Sequence, residues 1–522
     1  MSLLLLLLSL LISILKNRNA EEAMATKQSG GARLSPPVST ELSLRSEEDR
    51  NLLLDSSSSK EIVEQELPVA WYKQCQHGRW HSYAGAAFCL VVALVICVPF
   101  LSYEVFSRWA SRGLHPWGTS RPLQKLDKPV VILVSSDGFR FGYNWKAATP
   151  NIDRLRMEGT EADPGMIPVF PSKTFPNHYS IATGLYPAYH GIVGNYFRDP
   201  NPGSNDTFKP GELDPKWWLG EPIWETVVNQ GLQAATYFWP GSQVKKGNWT
   251  CESRFCQDYN SSVPYEDRVD TVLGYLDLPS RERPSLITLY FESPDEPGHE
   301  TGPDAPQITA AVVRIDTMIG RLLAGLEKRG LDKDVTIILV GDHGMVGKSE
   351  DKMIYLEDLA SEVLIPREWV MDYTPVLHIR PPPNLDVTTI HSSMARALTS
   401  SNMNNAEFLE IYLKEQLPPR LHYSHSPRIA PIVGLVAEGY TLAYARTDKP
   451  ITCGGEHGYD NVLLSMRTIF IARGPQFAQG RRIPSFENVE LYEIMANILG
   501  LTPAPNNASL NFAASVLLPL RS

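Results

Sequence analysis

The chain has 522 residues, which is long enough for one large catalytic domain and additional segments. Hydrophobic residues make up 43% of it and charged residues 20%, as in globular proteins with a substantial core. The formal net charge of −10 excludes a basic nucleic-acid-binding surface, so we expect no nucleic-acid partner.

The first segment, residues 1–83, begins with the apolar run LLLLLLSLLISIL. The run resembles the core of a signal peptide, but no basic residue precedes it, whereas Lys16 and Arg18 follow it. We hypothesise that translation starts at Met24, which would place this run outside the protein.

The polar part of this segment, residues 20–70, is rich in serine and is typical of a disordered tail, which we place in the cytosol. It matches an acidic dileucine sorting pattern at Glu48, Leu52 and Leu53. A chance match is the alternative for so short a motif.

An uncharged segment, Ala84–Tyr103, follows the tail. Its length fits a helix that crosses ~30 Å of hydrocarbon. Trp80, Tyr83 and Trp109 flank it as aromatic residues flank membrane spans. A buried core helix is the alternative, but soluble helices rarely stay uncharged for so long. We therefore predict one transmembrane signal anchor over residues 84–103.

The orientation of this span depends on the N-terminus. A cleaved signal peptide would leave the C-terminal part in the cytosol. Against that, Cys251 and Cys256 could close a small disulfide loop, which requires an oxidising compartment. N-glycosylation sequons also occur at Asn205, Asn248, Asn260 and Asn507. We predict a single-pass type II protein of the secretory pathway (Golgi, a vacuole or lysosome-like compartment, or the plasma membrane), with its C-terminal part lumenal or extracellular.

Beyond a predicted stalk at residues 104–127, the pattern alternates between apolar runs and helical segments through residues 128–522. Near-continuous apolar runs are typical of strands buried on both faces of a parallel sheet. The sequence therefore predicts one α/β catalytic domain with a mostly parallel central sheet flanked by helices. The predicted strands are 129–136, 235–241, 285–291, 334–340 and 467–474, and the predicted helices are Asn151–Glu158, Glu221–Asn229, Thr309–Lys328 and Val489–Leu499.

One stretch of the domain, residues 346–450, departs from this alternation. It is rich in proline, as in RPPPNLD, and less regular. This predicts an inserted smaller subdomain over one edge of the sheet.

Acidic residues and histidines follow the predicted strands or precede the last of them. Ligands of open α/β folds gather at the carboxyl ends of the strands. Any one of these residues has an ordinary explanation as a turn or surface residue, but together they form the pattern of a metal site. The set is Asp137, Asp295, His299, Asp342, His343 and His457.

Three carboxylates and three imidazoles exceed the needs of one metal ion. One zinc takes three or four protein ligands, so this set and Thr174 together supply two. Oxygen and nitrogen ligands without thiolate suit zinc, or manganese in its place. Two metals ~4 Å apart would stabilise both the attacking and the leaving oxygen of a displacement at phosphorus.

Thr174 stands before Phe175-Pro176 at the start of a predicted helix, in PVFPSKTFPNHYSIATG. The ordinary interpretation is a helix start, since Thr is a fair N-cap and Pro a preferred early helical residue. In the functional interpretation, a loop exposes the hydroxyl, a metal deprotonates it, and the helix directs free N–H groups at the phosphoryl oxygens.

Several motifs of the chain occur together and in the same order in one known family. They are SSDGFR, FPSKTFPNHYSIATGLYPAYHGIVGN, GEPIW, FWPGS, PDEPGH, GDHGM and GEHGYDN, and they extend from about Lys128 to about Leu501. On these motifs the chain resembles the nucleotide pyrophosphatase/phosphodiesterase family of the alkaline-phosphatase superfamily. The resemblance implies an alkaline-phosphatase-like fold.

The resemblance also implies roles for individual residues. Thr174 would be the nucleophile, and Asn195 would hydrogen-bond the phosphate. One zinc would be held by Asp137, Thr174, Asp342 and His343, and the other by Asp295, His299 and His457. The sequence around residues 200–220 differs from the pocket-forming sequences of the animal enzymes.

A nucleotide substrate needs a flat apolar slot for its base, since stacking on aromatic rings contributes ~1–3 kcal/mol. Phe175 adjoins the nucleophile, the resemblance implies Tyr259 as the second wall, and Trp239 would close an edge. The alternative makes Phe175 and Trp239 core residues and Tyr259 an ordinary loop residue.

The implied reaction converts nucleoside triphosphates, nucleotide sugars or dinucleotides to nucleoside 5′-monophosphates through a phospho-threonine intermediate. One alternative keeps the site but changes the substrate to a lysophospholipid or choline phosphodiester. A non-catalytic binding or scaffold protein is another alternative, but the complete ligand set argues against it.

Overall fold

The computed structural model describes residues 117–521, apart from 202–203, 205, 361–362, 401–402 and 449–452. The predicted tail, the predicted transmembrane span, residues 104–116 of the predicted stalk and the sequon at Asn205 lie outside the described residues. No helix within the described ranges combines the length and apolar character needed to cross a membrane.

Strands and helices alternate along much of the described chain, as the sequence predicts. The strands are β1 (Val130–Ser136), β2 (Thr160–Ala162), β3 (Phe197–Arg198), β4 (Thr207–Phe208), β5 (Ala234–Tyr237), β6 (Cys256–Gln257), β7 (Leu286–Phe291), β8 (Val335–Val340), β9 (Val346–Gly347), β10 (Met353–Tyr355), β11 (Val370–Asp372), β12 (Val376–Ile379), β13 (Leu409–Leu413), β14 (Ile432–Val436), β15 (Thr441–Ala443), β16 (Gly455–Glu456), β17 (Phe470–Arg473) and β18 (Arg481–Ile483). The helices are α1 (Pro150–Met157), α2 (Thr174–Thr183), α3 (Pro187–His190), α4 (Ile223–Asn229), α5 (Tyr265–Tyr275), α6 (Asp295–Thr301), α7 (Pro306–Arg329), α8 (Val387–Ser400), α9 (Glu490–Leu499) and α10 (Phe512–Val516).

The central sheet has the strand order β18-β2-β17-β8-β1-β7-β5-β6. Strand β1 pairs in parallel with β7 and β8, whereas β17 is antiparallel to both of its neighbours. The prediction of an α/β fold with a mostly parallel central sheet is therefore confirmed.

Helices cover both faces of this sheet because its strands are apolar on both. Along β1, Val131 and Leu133 join the core under α2, α4 and α9, whereas Val130, Ile132 and Val134 join the core under α1, α5 and α7. Burial on both faces explains why the strand sequences are continuous apolar runs and not alternating patterns.

A second sheet lies within the stretch 346–450. It is antiparallel, with the order β11-β12-β14-β13. It has its own apolar cluster, to which α8 contributes Met394 and Ala397. That this stretch is an inserted subdomain stays a prediction.

Two of the predicted strands differ in extent from the observed ones. The predicted strand 235–241 ends at Tyr237, because Phe238 adopts a positive φ of 65° and Pro240 cannot donate to a ladder. The strand predicted at 467–474 is the shorter β17, and β18 follows it as an edge strand.

Residues 120–126 are bonded to the domain at the edge where the parallel strands begin. The carboxylate of Asp334, which precedes β8, accepts the N–H groups of Gln124, Lys125 and Leu126 at 2.6–2.9 Å. The N–H group of Ser120 donates to the carbonyl of Pro519 at 2.9 Å. Residues near the start and near the end of the described range therefore meet at this edge.

Candidate active site

The candidate ligands converge at the opposite edge, where the parallel strands end. Asp137 directly follows β1, Asp295 begins α6 after β7, and Asp342 and His343 follow β8. His457 precedes its strand, yet it reaches the same edge because β17 is antiparallel and its first residue pairs with the last residue of β8.

Gly138 allows the loops after β1 and β7 to approach each other closely. It has a φ of 65°, and a Cβ atom at this position would lie 2.8 Å from the Cβ of Asp295. Its N–H group donates to Asp342 Oδ1 at 2.9 Å. The turn at Asp137-Gly138 thereby brings together the carboxylates of Asp137, Asp295 and Asp342, which follow three different strands.

Contacts link all seven predicted metal ligands into one cluster. The Nε2 atom of His343 lies 3.1 Å from Thr174 Oγ1, 3.1 Å from Asp342 Oδ2 and 3.4 Å from Asp137 Oδ1. The His343 ring stacks on that of His457 with centroids 3.4 Å apart.

The remaining ligands extend the cluster from His457. Its Nε2 atom lies 3.1 Å from His299 Nε2 and 3.6 Å from Asp295 Oδ1. Asp295 and His299 are four residues apart on α6, so they share a helix face, with Oδ2 and Nε2 3.4 Å apart.

All three predicted imidazole ligands are oriented in the same way. The Nδ1 atoms of His299, His343 and His457 donate to the main-chain carbonyls of Gly455, Gly344 and Ser172 at 2.9–3.1 Å. Donation from Nδ1 leaves the Nε2 lone pair of each ring facing the cluster, which is the usual orientation of a metal-binding histidine.

The carboxylates leave buried oxygen atoms without a hydrogen-bond partner. These atoms are Asp137 Oδ1, Asp295 Oδ1 and Asp342 Oδ2. Burial raises the pKa of Asp137 well above its usual range, and the charges of Asp342 and Asp295 raise it further. Burial also opposes ionisation of Asp295, but His299 and His457 lower its pKa overall.

Ligand atoms of these residues form groups suited to metal ions. Asp295, His343 and His457 form one such group, with ligand atoms within 4.8 Å of one another, and Asp137 and Asp342 belong to a second. Free carboxylate oxygens and inward Nε2 atoms fit a divalent cation, because it would satisfy atoms that nothing else satisfies.

The sequence reasoning missed His178, which also belongs to the second group. Both of its ring nitrogens are already bonded: Nδ1 donates to the carbonyl of Thr174 at 2.9 Å, and Nε2 accepts from Ser135 Oγ at 2.8 Å. His178 therefore orients the start of α2 and does not act as a ligand. Its spacing of four residues from Thr174 on a predicted helix could have indicated this contact.

Tyr290 was missed as well. It belongs to β7, and its hydroxyl donates to Asp137 Oδ2 at 2.6 Å, which leaves Oδ1 as the free oxygen of that carboxylate. A tyrosine within the apolar run LITLYF carries no sequence signal for this role.

Thr174 is the first residue of α2 and is partly exposed. Two amides of the first turn are bonded within the protein: Phe175 N–H donates to Asn195 Oδ1 at 3.0 Å, and Asn177 N–H donates to the carbonyl of Lys173 at 3.1 Å. Pro176 has no N–H group. That amides of this turn face the phosphoryl oxygens stays a prediction.

Asn195 lies beside the start of α2, next to Thr174 in the chain's fold. Because its Oδ1 accepts from Phe175 N–H, the orientation of its amide is fixed and its Nδ2 donors are on the other side.

A cavity of about 360 Å³ opens next to Thr174. Phe175, Trp239 and Tyr259, the three predicted base-binding residues, all line it. Phe175 packs against Phe208 and Trp218, with ring centroids 5.9 and 6.3 Å apart. The cavity is lined by Thr174, Phe175, Pro210, Gly211, Glu212, Leu213, Trp218, Phe238, Trp239, Pro240, Gly241, Gln243, Tyr259 and Tyr290.

Two of these walls differ in burial. Tyr259 is 51% exposed, its ring packs edge-on against Phe238, and its hydroxyl donates to Glu292 Oε1 at 3.1 Å. Trp239 is 2% exposed, and its Nε1–H donates to the carbonyl of His178 at 3.1 Å. Trp239 is thus a core residue that also forms the cavity's inner edge.

The predicted modification sites lie away from the cluster. A disulfide joins Cys251 and Cys256. Asn248 and Asn260 are exposed, whereas Asn507 is partly buried and its Oδ1 accepts the N–H group of Tyr186 at 3.0 Å.

Much of the chain is similar to known proteins. A family described as type I phosphodiesterase / nucleotide pyrophosphatase matches residues 131–460. Ectonucleotide pyrophosphatase/phosphodiesterase family member 1 of Mus musculus is 39% identical over 406 residues, 77% of this chain and 44% of that protein. Venom phosphodiesterase 2 of Crotalus adamanteus is 42% identical over 389 residues, 73% of this chain and 47% of that protein. The chain spans about half the length of these relatives.

Solved structures share the fold over their whole length. An inactive threonine-to-alanine variant of murine ectonucleotide pyrophosphatase / phosphodiesterase 5, in complex with AMP, matches with a TM-score of 0.67 and 32% identity. The match covers 75% of this chain and 100% of that one. The human ectonucleotide pyrophosphatase / phosphodiesterase 5 matches with a TM-score of 0.66 and 33% identity, over 74% of this chain and 99% of that one.

Proposed function

The chain belongs to the type I phosphodiesterase / nucleotide pyrophosphatase family, and from this premise we propose that it hydrolyses nucleotides to nucleoside 5′-monophosphates. One observation carries the proposal: Thr174 Oγ1, 3.1 Å from His343 Nε2, joins the ligand cluster on one side and an aromatic cavity on the other. A phosphodiester bound there would have its base in the cavity and its phosphorus at the hydroxyl.

Thr174 is the nucleophile of this proposal. Its Oγ1 loses its proton and forms a bond to phosphorus while the bond to the leaving oxygen breaks and that oxygen takes up a proton, which gives a nucleotidyl-threonine. Water then adds its hydroxyl to phosphorus and returns a proton to Oγ1 as the Oγ1–phosphorus bond breaks, which releases the 5′-monophosphate and restores the hydroxyl. The murine relative made inactive by a threonine-to-alanine change supports a threonine in this role.

The ligand cluster would hold two zinc ions, which would favour the threonine alkoxide and neutralise charge on the phosphoryl and leaving oxygens. The first site comprises Asp137, Thr174, Asp342 and His343, and the second comprises Asp295, His299 and His457. The unpartnered carboxylate oxygens and the inward Nε2 atoms support metal binding by this cluster, whereas the division of the ligands between two sites rests on the family resemblance.

Asn195 would hydrogen-bond the phosphoryl group. Its Nδ2 donors face away from Phe175 N–H, which occupies Oδ1. Phe175 and Tyr259 would hold the base between aromatic rings, in which the loss of water and the stacking both favour binding. The AMP bound to the murine relative supports a nucleotide as the ligand class.

The experiment that tests this function uses the full-length protein purified in detergent. We expect cleavage of a nitrophenyl ester of AMP and the release of 5′-AMP from ATP, a nucleotide sugar or a dinucleotide, identified by chromatography. Hydrolysis of nitrophenylphosphocholine without cleavage of the nucleotide ester would contradict the proposal.

That result would favour the second candidate, a lysophospholipid or choline phosphodiesterase. One observation supports it: aromatic residues and the acidic residue Glu212 line the cavity together, and a quaternary ammonium group binds well to such a combination.

We also propose that the domain is lumenal or extracellular and attached through residues 84–103. The disulfide between Cys251 and Cys256 and the exposed sequons at Asn248 and Asn260 support this location. Glycosidase treatment should increase the electrophoretic mobility of the expressed protein. No mobility change, together with protease sensitivity expected of a cytosolic domain, would reverse the topology.

A further inference from the structure

The cavity beside Thr174 has one charged side chain among the described residues that line it. This side chain is Glu212, and no lysine, arginine or histidine within the described ranges lines the cavity. An uncharged base interacts with a carboxylate mainly through the hydrogen-bond donors on its edge. Glu212 is therefore placed to select among bases.

Buried side chains hold the main chain of Glu212 in position. The indole Nε1–H of Trp218, a residue only 1% exposed, donates to the carbonyl of Glu212 at 3.1 Å. The carbonyl of Trp218 in turn accepts from Lys246 Nζ at 3.0 Å. A wall fixed in this way loses little conformational freedom when a ligand binds.

The carboxylate of Glu212 has one free oxygen. Its Oε1 accepts the N–H group of Asp214 at 3.0 Å, whereas no hydrogen bond in the described part of the chain uses Oε2. A carboxylate only accepts hydrogen bonds, so the free oxygen requires a donor on the base.

Gln243 adds a second acceptor to the same lining. Its Nε2 donates to Asp258 Oδ1 at 2.9 Å, which fixes the orientation of the amide with Oε1 on the side away from that carboxylate. Both polar groups of the cavity lining are thus hydrogen-bond acceptors, and they favour a bound base that presents a hydrogen-bond donor.

We propose that Glu212 makes the enzyme prefer adenine and cytosine, which carry an amino group at C6 of the purine or C4 of the pyrimidine, over hypoxanthine and uracil, which carry a carbonyl at that position. This inference rests on the proposed nucleotide function. An amino group supplies the donor that Oε2 lacks, whereas a carbonyl oxygen at that position places two acceptors against each other, which is unfavourable.

The test compares nitrophenyl esters of AMP and IMP, which differ by this one group. For the full-length enzyme we expect kcat/KM to be about tenfold higher for the AMP ester, since one hydrogen bond to a charged group distinguishes them. The esters of CMP and UMP should differ in the same direction. A ratio within about twofold for both pairs would overturn the inference without any variant.

The variant Glu212→Gln keeps an oxygen that can accept from Asp214 N–H but removes the charge. We expect it to reduce the AMP-to-IMP ratio to within about twofold. The ratio cancels any general loss of folded enzyme, because both esters use the same catalytic groups. Asp214→Asn, a change in the same loop outside the cavity lining, is the matched control and should keep the wild-type ratio.

An unchanged ratio in Glu212→Gln would overturn the role of Glu212 and leave the nucleotide function intact. Failure of the wild-type enzyme to cleave any of the four esters would instead overturn the proposed function, and this inference with it.

Discussion

The two halves of the candidate site are built in different ways. One half, which contains the predicted metal ligands, lies at the ends of central strands, and Asp342 and His343 there are completely buried. The other half, the cavity proposed to bind the nucleobase, is formed largely by loops, and Tyr259 there is 51% exposed. We call it the base half. Because the metal ligands are buried and depend on one another, a substitution among them should abolish activity almost completely. A substitution in the open aromatic part of the cavity should reduce substrate binding only partly.

The largest expected effect is that of Thr174→Ala. It removes the nucleophile and a metal ligand but few buried atoms, so we expect kcat to fall at least about a thousandfold, equivalent to ~4 kcal/mol. The thermal unfolding midpoint should change little. Thr174→Ser is the matched control and should retain measurable turnover. Residual Thr174→Ala activity within about tenfold of wild type would disprove the covalent mechanism.

Metal removal should also abolish activity, and added zinc should restore it. Elemental analysis of the purified protein should give about two zinc per chain, as the ligand count requires. Chelation should also lower the thermal unfolding midpoint, because buried carboxylates would then repel one another without compensation. A chelator saturated with zinc is the control. Full activity in metal-free protein would contradict the whole cluster.

A graded effect is expected of Tyr259→Ala in the base half. Loss of one stacking wall should raise KM for nucleotide esters by roughly tenfold, with little effect on a nitrophenyl diester that has no base. Tyr189→Ala is the matched control, since Tyr189 is also exposed but does not line the cavity. Equal losses on both substrates would show that Tyr259 supports the fold.

The smallest expected effect is that of Trp239→Phe, which tests where the two halves meet. The change removes the hydrogen bond to the His178 carbonyl and keeps an aromatic ring at the cavity edge. We expect denaturant unfolding to show a loss of ~1 kcal/mol, with KM within about twofold of wild type. Trp145→Phe, at an exposed tryptophan, is the control. A raised KM with unchanged stability would make Trp239 a binding wall.

The half of the site that contains the predicted metal ligands could be predicted from the sequence because the topology of the sheet determines it. Parallel strands end at one edge, so residues directly after β1, β7 and β8 had to converge, as Asp137 and Asp342 do. His457 was included in the cluster for its residue type, and it reaches the same edge for a different reason, because β17, which follows it, is antiparallel to β8.

The base half could not be predicted in this way. Glu212, Trp218 and Gln243 come together through the folding of loops, which no periodicity encodes. Phe175 was found from its place in the chain and Tyr259 from resemblance alone. The sequence also does not show that Asn195 accepts the N–H group of Phe175.

The bonding of residues 120–126 to Asp334 and Pro519 has a mechanical consequence. A force or tether applied upstream of residue 117 acts on the edge of the sheet opposite Thr174, where the bond of Ser120 to Pro519 resists it first and the bonds to Asp334 resist it next. A bead, a surface or a fusion partner attached there should therefore leave the entrance used by substrates unobstructed. The same attachment at the loop around Tyr259 would block it.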